Sequence, residues 1–487
     1  MPELLLGLDL GTTGVCALAV DLEGRVRGRA HAPLSAAYPA PGRVEQDPEE
    51  MAARSVETLR AALAGAGAGA RDVAALGIAS QRASALAWEA GRGRALAPAI
   101  GWQDQRTAAR AAALRRAGVP ATPLASATKF EWWLRGEEGA GAAVRAAARA
   151  GTLRLGTPDA WLGVRLGAAG RSVTDPGHAS CTGLYDLARG DWDERALSLF
   201  GVPRAALPEL VASAETTDES RPQLFGGAIP LAARAGDQQA AAFAQGAHAR
   251  GAAKLTLGTS AMLDVHAGSG DGALPAAPGA HPLALWRLGA GGRDALCLEG
   301  SALTAGAALD WLARLGVLPE AEALDALAAP TSGGVWFVPA FQGLGTPYMD
   351  FAARGVLGGL SLATGRGEIA RAALEGVAQR CADLCLALGF ADSVLPVDGG
   401  LARSDVLLQL LADLVGAEVR RAAEVETTAL GAAQLAGLAV GALPDLAACR
   451  AMTAPAVRLL PRIGAAERAA ARELWQERLE AARGGGA

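Results

Sequence analysis

Asp9 lies near the end of an apolar run, Leu5-Leu6-Gly7-Leu8-Asp9-Leu10. The turn Gly11-Thr12-Thr13-Gly14 follows, and then a second apolar run, Val15-Cys16-Ala17-Leu18-Ala19-Val20. The pattern predicts two strands joined by a tight turn of small and hydroxyl residues. Such a turn presents backbone N–H groups and the hydroxyls of Thr12 and Thr13 with no bulk in the way, which suits phosphate oxygens. A carboxylate at a strand end is costly to bury unless it holds water or a metal ion. Taken alone, an ordinary hairpin with an acidic turn residue accounts for the segment at least as well.

The second half of the chain repeats this grammar in Lys254-Leu255-Thr256-Leu257-Gly258-Thr259-Ser260-Ala261-Met262-Leu263. Two such hairpins half a chain apart suggest two similar domains that each offer a phosphate-binding turn to a shared cleft. Leu395-Pro396-Val397-Asp398-Gly399-Gly400 reads as a strand ending in a glycine pair. A helix from Ser404 follows, a junction where a flat ring or a phosphate can approach the backbone. Asp9 and Asp237 are isolated carboxylates at strand or loop ends. A nucleotide bound between the domains, with Mg2+ near Asp9, satisfies all these features. No GxxxxGK[ST] stretch occurs, which excludes a Walker-type site.

The elements that must position these residues alternate between strand and helix. Strands are predicted at 4–20 (with the turn) and 25–33, helices at 49–64 and 107–117, and a buried strand at 73–80 running into Gln81-Arg82. This argues for an α/β architecture. The 487 residues exceed one core, and a boundary just before Arg234 divides the chain into domains 1–233 and 234–487. Glycine-rich tracts such as 268–272 are predicted as loops.

Composition narrows the function classes. With 51% hydrophobic and 20% charged residues the chain is globular, and a net charge of −5 gives no reason to expect nucleic acid or an anionic membrane as partner. No apolar run is long enough to span a bilayer, and the N-terminus has no signal-peptide pattern, so a cytoplasmic location is expected. The six cysteines and five histidines show no metal-ligand spacing, which argues against a zinc enzyme. Asparagine is absent, and only Lys129 and Lys254 are lysine.

Over its whole length the chain resembles the FGGY sugar and polyol kinases, of the actin-like, ribonuclease-H-like fold, and within them the glycerol kinases. The matching segments are Val44-Glu45-Gln46-Asp47-Pro48, Ser80-Gln81-Arg82, Gly101-Trp102-Gln103-Asp104-Gln105-Arg106-Thr107, Ser126-Ala127-Thr128-Lys129 and Gly236-Asp237-Gln238-Gln239. Further on come Phe337-Val338-Pro339, Ala353-Arg354-Gly355, Val397-Asp398-Gly399-Gly400 and Thr427-Thr428-Ala429-Leu430-Gly431. The resemblance implies two ribonuclease-H-like α/β domains with an interdomain cleft, and ATP-dependent phosphorylation of a small polyol or sugar. It makes Asp237 the catalytic base and places Asp9, with Asp237, at hydrated Mg2+. Gly11, Thr12, Thr13, Gly258 and Thr259 would meet phosphates, while Gly306, Gly399, Gly400 and Ser404 would border the rest of the nucleotide. Gln81, Arg82, Trp102 and Gln238 would face the acceptor. The bland alternatives are a helix N-cap for Asp237, an interdomain ion pair for Arg82 and a core position for Trp102.

The chain departs from that pattern where glycerol kinases carry glutamate after Gln-Arg (here Ala83), a tyrosine near Leu124 and a phenylalanine at Met262. Losing a carboxylate that accepts from substrate hydroxyls costs about 1–3 kcal/mol in a dry site. Xylulose, ribulose and gluconate therefore join glycerol and erythritol as candidate acceptors. Regulation by a sugar bisphosphate is not expected, because Gly226-Gly227-Ala228-Ile229-Pro230 lacks an arginine. The opening Gly7-Leu8-Asp9-Leu10-Gly11-Thr12-Thr13 also resembles the ATPase domain of heat-shock chaperones. That reading leaves Trp102-Gln103-Asp104 and Gly236-Asp237-Gln238-Gln239 unexplained. A catalytically weak binding protein is the third class, and a homo-oligomer is left open.

Overall fold

The computed structural model describes residues 3–91, 93–139, 141–269, 277–318 and 324–484. The chain forms two compact units, one of Met1–Gly246, Leu283–Leu296 and Glu426–Met452, the other of Ala247–Pro282, Cys297–Val425 and Thr453–Ala487.

The first unit begins with the hairpin β1 (Leu4–Leu10) and β2 (Gly14–Asp21), paired antiparallel, with β3 (Val26–Pro33) beside β2. Helix α1 (Pro48–Gly65) starts on Asp47, whose side chain accepts from the Glu49 N–H, and leads to β4 (Val73–Ser80), parallel to β1. The helices α2 (Ser126–Arg135) and α3 (Pro176–Cys181) follow, then β5 (Ala214–Glu219), β6 (Pro230–Gly236) and α4 (Asp237–Ala244). The sheet order is β5-β6-β4-β1-β2-β3. The polar stretch after Pro208 thus supplies the edge strand β5, and Arg234 lies inside β6.

In the second unit β7 (Ala253–Leu257) and β8 (Ala261–Ser269) make the second hairpin, antiparallel in register Leu257 to Ala261. Gly268 and Ser269 belong to β8 where glycine content predicted a loop; residues 270–272 of that tract lie outside the described residues. Helix α5 (Gly306–Arg314) comes next. Strand β9 (Val394–Asp398) runs parallel to β7 and to β10 (Glu418–Ala422), with α6 (Asp405–Val415) between β9 and β10 in sequence. The edge strand is β11 (Pro455–Leu459). Leu255, Leu263, Val397, Leu408 and Leu411 belong to its core.

Beyond β10 the chain rejoins the first unit as α7 (Thr427–Ala439). Side chains along β1 alternate between two faces. Leu4, Leu6, Leu8 and Leu10 join Met51 and Leu59 of α1 in one core, while a Cβ on Gly7 would lie 1.8 Å from the Ala429 carbonyl oxygen of α7. The small residues of α7 are what allow that approach. Because both faces are covered, β1 reads as a nearly unbroken apolar run. Asp9 shares the α7 face. Among the described residues no helix is long and apolar enough to cross a membrane.

Candidate active site

Register brings three chemistry-bearing segments to one end of the first sheet. Asp9 of β1 lies opposite Ala79 of β4, and Ser80 lies opposite Gly236 of β6. These three strands are parallel neighbours, so Asp9, Gln81-Arg82 and Asp237 all stand at their carboxyl ends, where α/β sheets bind ligands. Asp237 opens α4, but the N-cap is Gly236, so its carboxylate is not used as that cap. Its Oδ1 accepts the Gln238 N–H at 2.7 Å and lies 3.2 Å from Arg82 Nε, with the Asp237 side chain still 30% exposed. Both partners of this ion pair belong to the first unit.

Asp9 keeps some exposure as a residue, yet its Oδ1 is shut from solvent and finds no hydrogen-bond partner among the described residues. Burial, then the neighbouring charges of Asp237 and Glu426, push its pKa well above the usual carboxylate value. An orphaned buried carboxylate oxygen among like charges is a site that a divalent cation or its hydration water fits.

The residues expected to face the acceptor divide into two kinds. Gln81 is completely buried: its Nε2 donates to Gln46 Oε1 at 2.8 Å, and its Oε1 accepts from Ser84 Oγ at 3.0 Å and Thr12 Oγ1 at 3.4 Å. Gln46 in turn donates to the Thr12 carbonyl at 2.8 Å. Gln81 therefore ties the Gly11–Gly14 turn to the 81–84 turn. Trp102 is 37% exposed, which rules out the core position, and its indole N–H donates to Thr12 Oγ1 at 3.0 Å. The Arg82 guanidinium reaches Cys181 Sγ at 3.8 Å as well as Asp237. Gln238 is half-buried next to Asp237, and Gly11 closes the first hairpin turn through its N–H to Gly14 O at 3.0 Å, with Thr13 exposed at the tip.

In the second unit, the Leu255–Val397 and Thr256–Asp398 register sets the Gly258-Thr259 turn beside the Gly399-Gly400 pair. Gly399 has φ +90, and a Cβ there would stand 2.4 Å from the Leu257 carbonyl oxygen, so only glycine is accommodated. The N–H groups of Ala305 and Gly306 bond Thr259 O and Gly258 O at 3.0 and 2.9 Å, which fixes the start of α5 against the same turn. Ser404 is the N-cap of α6, accepting from Leu407 N at 3.0 Å and donating to Asp325.

Two features escaped sequence reasoning. Asp159, Asp175 and His178 offer atoms within 4.8 Å of one another, all three residues fully buried, although no histidine showed ligand spacing. The carboxylates already accept from Thr157, Thr174 and Ser213 hydroxyls, at 2.5, 2.8 and 2.6 Å, and His178 contacts Asp175 and Ser80 at 2.9 Å each. The cluster is a hydrogen-bonded charge network. The second is Glu426, whose charge acts on Asp9 from a distant part of the chain.

A mixed sheet with a glycine- and hydroxyl-rich hairpin turn in each of two units, and two carboxylates at the strand ends of one, is an α/β arrangement of the actin-like kind. The N-terminal and C-terminal domain models of the FGGY family of carbohydrate kinases match residues 4–244 and 253–440. A glycerol kinase of Aromatoleum aromaticum is 43% identical, with 99% of each chain covered. Among solved structures, a Plasmodium falciparum glycerol kinase with ADP matches at TM-score 0.90 and 24% identity over 98% of each chain. A Brucella ovis xyloylose kinase matches at TM-score 0.83 and 27% identity, again over 98% of each chain. The chain belongs to the FGGY family of carbohydrate kinases, and it is an ATP-dependent enzyme that phosphorylates a hydroxyl of a small polyol or sugar.

Proposed function

We propose that glycerol is the acceptor, phosphorylated at a terminal hydroxyl, and that the first unit binds it and offers one phosphate-binding turn while the second binds the rest of the nucleotide. The observation that carries this reading is the Arg82–Asp237 pair, 3.2 Å apart, at the strand ends that also bear Asp9. Curated relatives at 40–43% identity over nearly the full length are glycerol kinases, and the glycerol kinase structure matches at TM-score 0.90 against 0.83 for the xyloylose kinase, which favours glycerol over xylulose.

Asp237 accepts the proton of the attacking hydroxyl and orients its oxygen, a modest demand because phosphoryl transfer has a loose transition state. Arg82 donates to a second hydroxyl, and the Trp102 ring packs on the carbon chain. Asp9 and Asp237 would hold Mg2+, which when bound neutralises charge on the phosphate oxygens. Gly11, Thr12, Thr13, Gly258 and Thr259 donate to the phosphates, and Gly306, Gly399, Gly400 and Ser404 border the nucleoside. Gln238 stands beside Asp237 at the acceptor.

The deciding experiment is ADP release with glycerol, erythritol, xylulose, ribulose and gluconate, each against a no-acceptor control. Glycerol is expected to give the highest kcat/KM. A higher value for a ketose would replace this reading. ATP hydrolysis without any acceptor would point to an actin-fold ATPase, and no turnover at all to a binding protein.

A further inference from the structure

Lys129 lies on α2, fully buried, and nothing in the phosphoryl-transfer chemistry uses it. Its Nζ donates to three main-chain carbonyls: Leu124 O at 2.9 Å, Ala83 O at 3.0 Å and Trp102 O at 3.4 Å. An ammonium has three donors and no acceptor, so the set is complete. The three carbonyls come from three segments far apart in sequence, one following Arg82, one containing Trp102 and one ending at Leu124.

The first of these segments is strained. Ala83 has φ +58, and the Ser84 N–H donates to Arg82 O at 2.8 Å, a three-residue turn of the rare positive-φ kind. A residue with a Cβ holds this conformation only when its surroundings over-determine it. Here the surroundings are Lys129 on the Ala83 carbonyl and Ser84 Oγ, which accepts the Trp102 N–H at 3.0 Å.

We propose that Lys129 is the positioning residue of the acceptor site, holding the Arg82, Trp102 and Leu124 segments in one mutual geometry through its three carbonyl contacts. The assignment rests on the reading that Arg82 and Trp102 meet the acceptor. The ionic groups bearing on Lys129 are Asp104 and Arg106, and Arg106 is itself paired with Asp104 and Glu45 at 2.8 Å each. Burial lowers the Lys129 pKa to about 7, with Asp104 opposing and Arg106 assisting. The neutral amine has two N–H groups, so above that pH one of the three carbonyls loses its donor.

The test is steady-state kinetics of the full chain with glycerol and ATP varied separately from pH 6 to 9, for the wild type, Lys129→Met and Trp102→Ala. For the wild type the glycerol KM rises about tenfold as pH passes through the region of 7, the loss of one hydrogen bond from a charged donor, while the ATP KM does not follow it. In Lys129→Met the glycerol KM is raised at pH 6 and no longer rises with pH. An unchanged glycerol KM in Lys129→Met, beside a raised one in Trp102→Ala, overturns the role of Lys129 alone. An unchanged value in Trp102→Ala overturns the acceptor-site reading beneath it. Should Lys129→Met fail to fold, as circular dichroism would reveal, the wild-type profile decides: a glycerol KM flat across this range refutes the proposal.

Discussion

Arg82 Nε stands 3.2 Å from Asp237 Oδ1 across the ends of two neighbouring parallel strands, and both side chains keep some solvent exposure. The Arg82 side chain is mostly buried, at 14% exposure, while that of Asp237 is 30% exposed. The importance of the pair lies in geometry, since it sets a hydrogen-bond donor and a carboxylate side by side.

That geometry makes the first prediction. Asp237→Asn keeps the shape but removes the proton acceptor, so kcat should fall by about 10²–10⁴-fold. The melting temperature should change little. ADP release and thermal unfolding check the two halves; retention of wild-type kcat would remove Asp237 from the chemistry.

Asp9 gives a prediction of opposite sign for stability. Burial and the charges of Asp237 and Glu426 raise its folded-state pKa. A carboxylate so raised contributes stability below its unfolded pKa of about 3.9, and that contribution is lost as pH climbs through the folded value. At pH 7 without divalent cations, Asp9→Asn should therefore melt higher than the wild type, by roughly 2 °C or more. Added Mg2+ should stabilise only the wild type, and activity of the variant should collapse. A variant that melts lower in EDTA contradicts this account.

Ala83 separates strain from specificity. The left-handed φ of +58 is easier for glycine, so Ala83→Gly should stabilise the chain by about 0.5–1 kcal/mol in urea unfolding. Ala83→Glu places a carboxylate where glycerol kinases carry one. It should lower the glycerol KM by about tenfold, one charged hydrogen bond. An unchanged KM would mean that position 83 does not reach the acceptor.

How much of this was legible beforehand follows from the range of each interaction. The hairpins at Gly11-Thr12-Thr13 and Gly258-Thr259, the strand 73–80 and the glycine pair at 399–400 are encoded locally, by alternation and turn chemistry, and they appear as read. The joining of α7 to the first unit was not legible, because small residues permit close packing without specifying the partner. The burial of Gln81 was not legible, because it depends on Gln46, distant in sequence. Lys129 carried a signal that went unused. In a chain with only two lysines among so many arginines, both lysines are fully buried.

The last prediction concerns His178, fully buried with Asp159 and Asp175. Burial disfavours its charged form, but the two carboxylates outweigh that and hold its pKa above the usual imidazole value. Removing the cation leaves Asp159 and Asp175 with the buried Arg234 and three hydroxyl donors, so His178→Gln should cost about 1–3 kcal/mol at pH 6. Because the folded pKa is raised, the contribution of His178 is fully present below the unfolded value near 6.5 and fades as pH rises through the folded one. The stability gap between wild type and variant should therefore narrow from pH 6 to pH 9 in urea unfolding. Ser80, bonded to His178 Nε2 at 2.9 Å, directly precedes Gln81-Arg82, so the variant should also raise the glycerol KM while leaving the ATP KM alone. A gap that widens with pH would show that the imidazole is neutral in the folded chain.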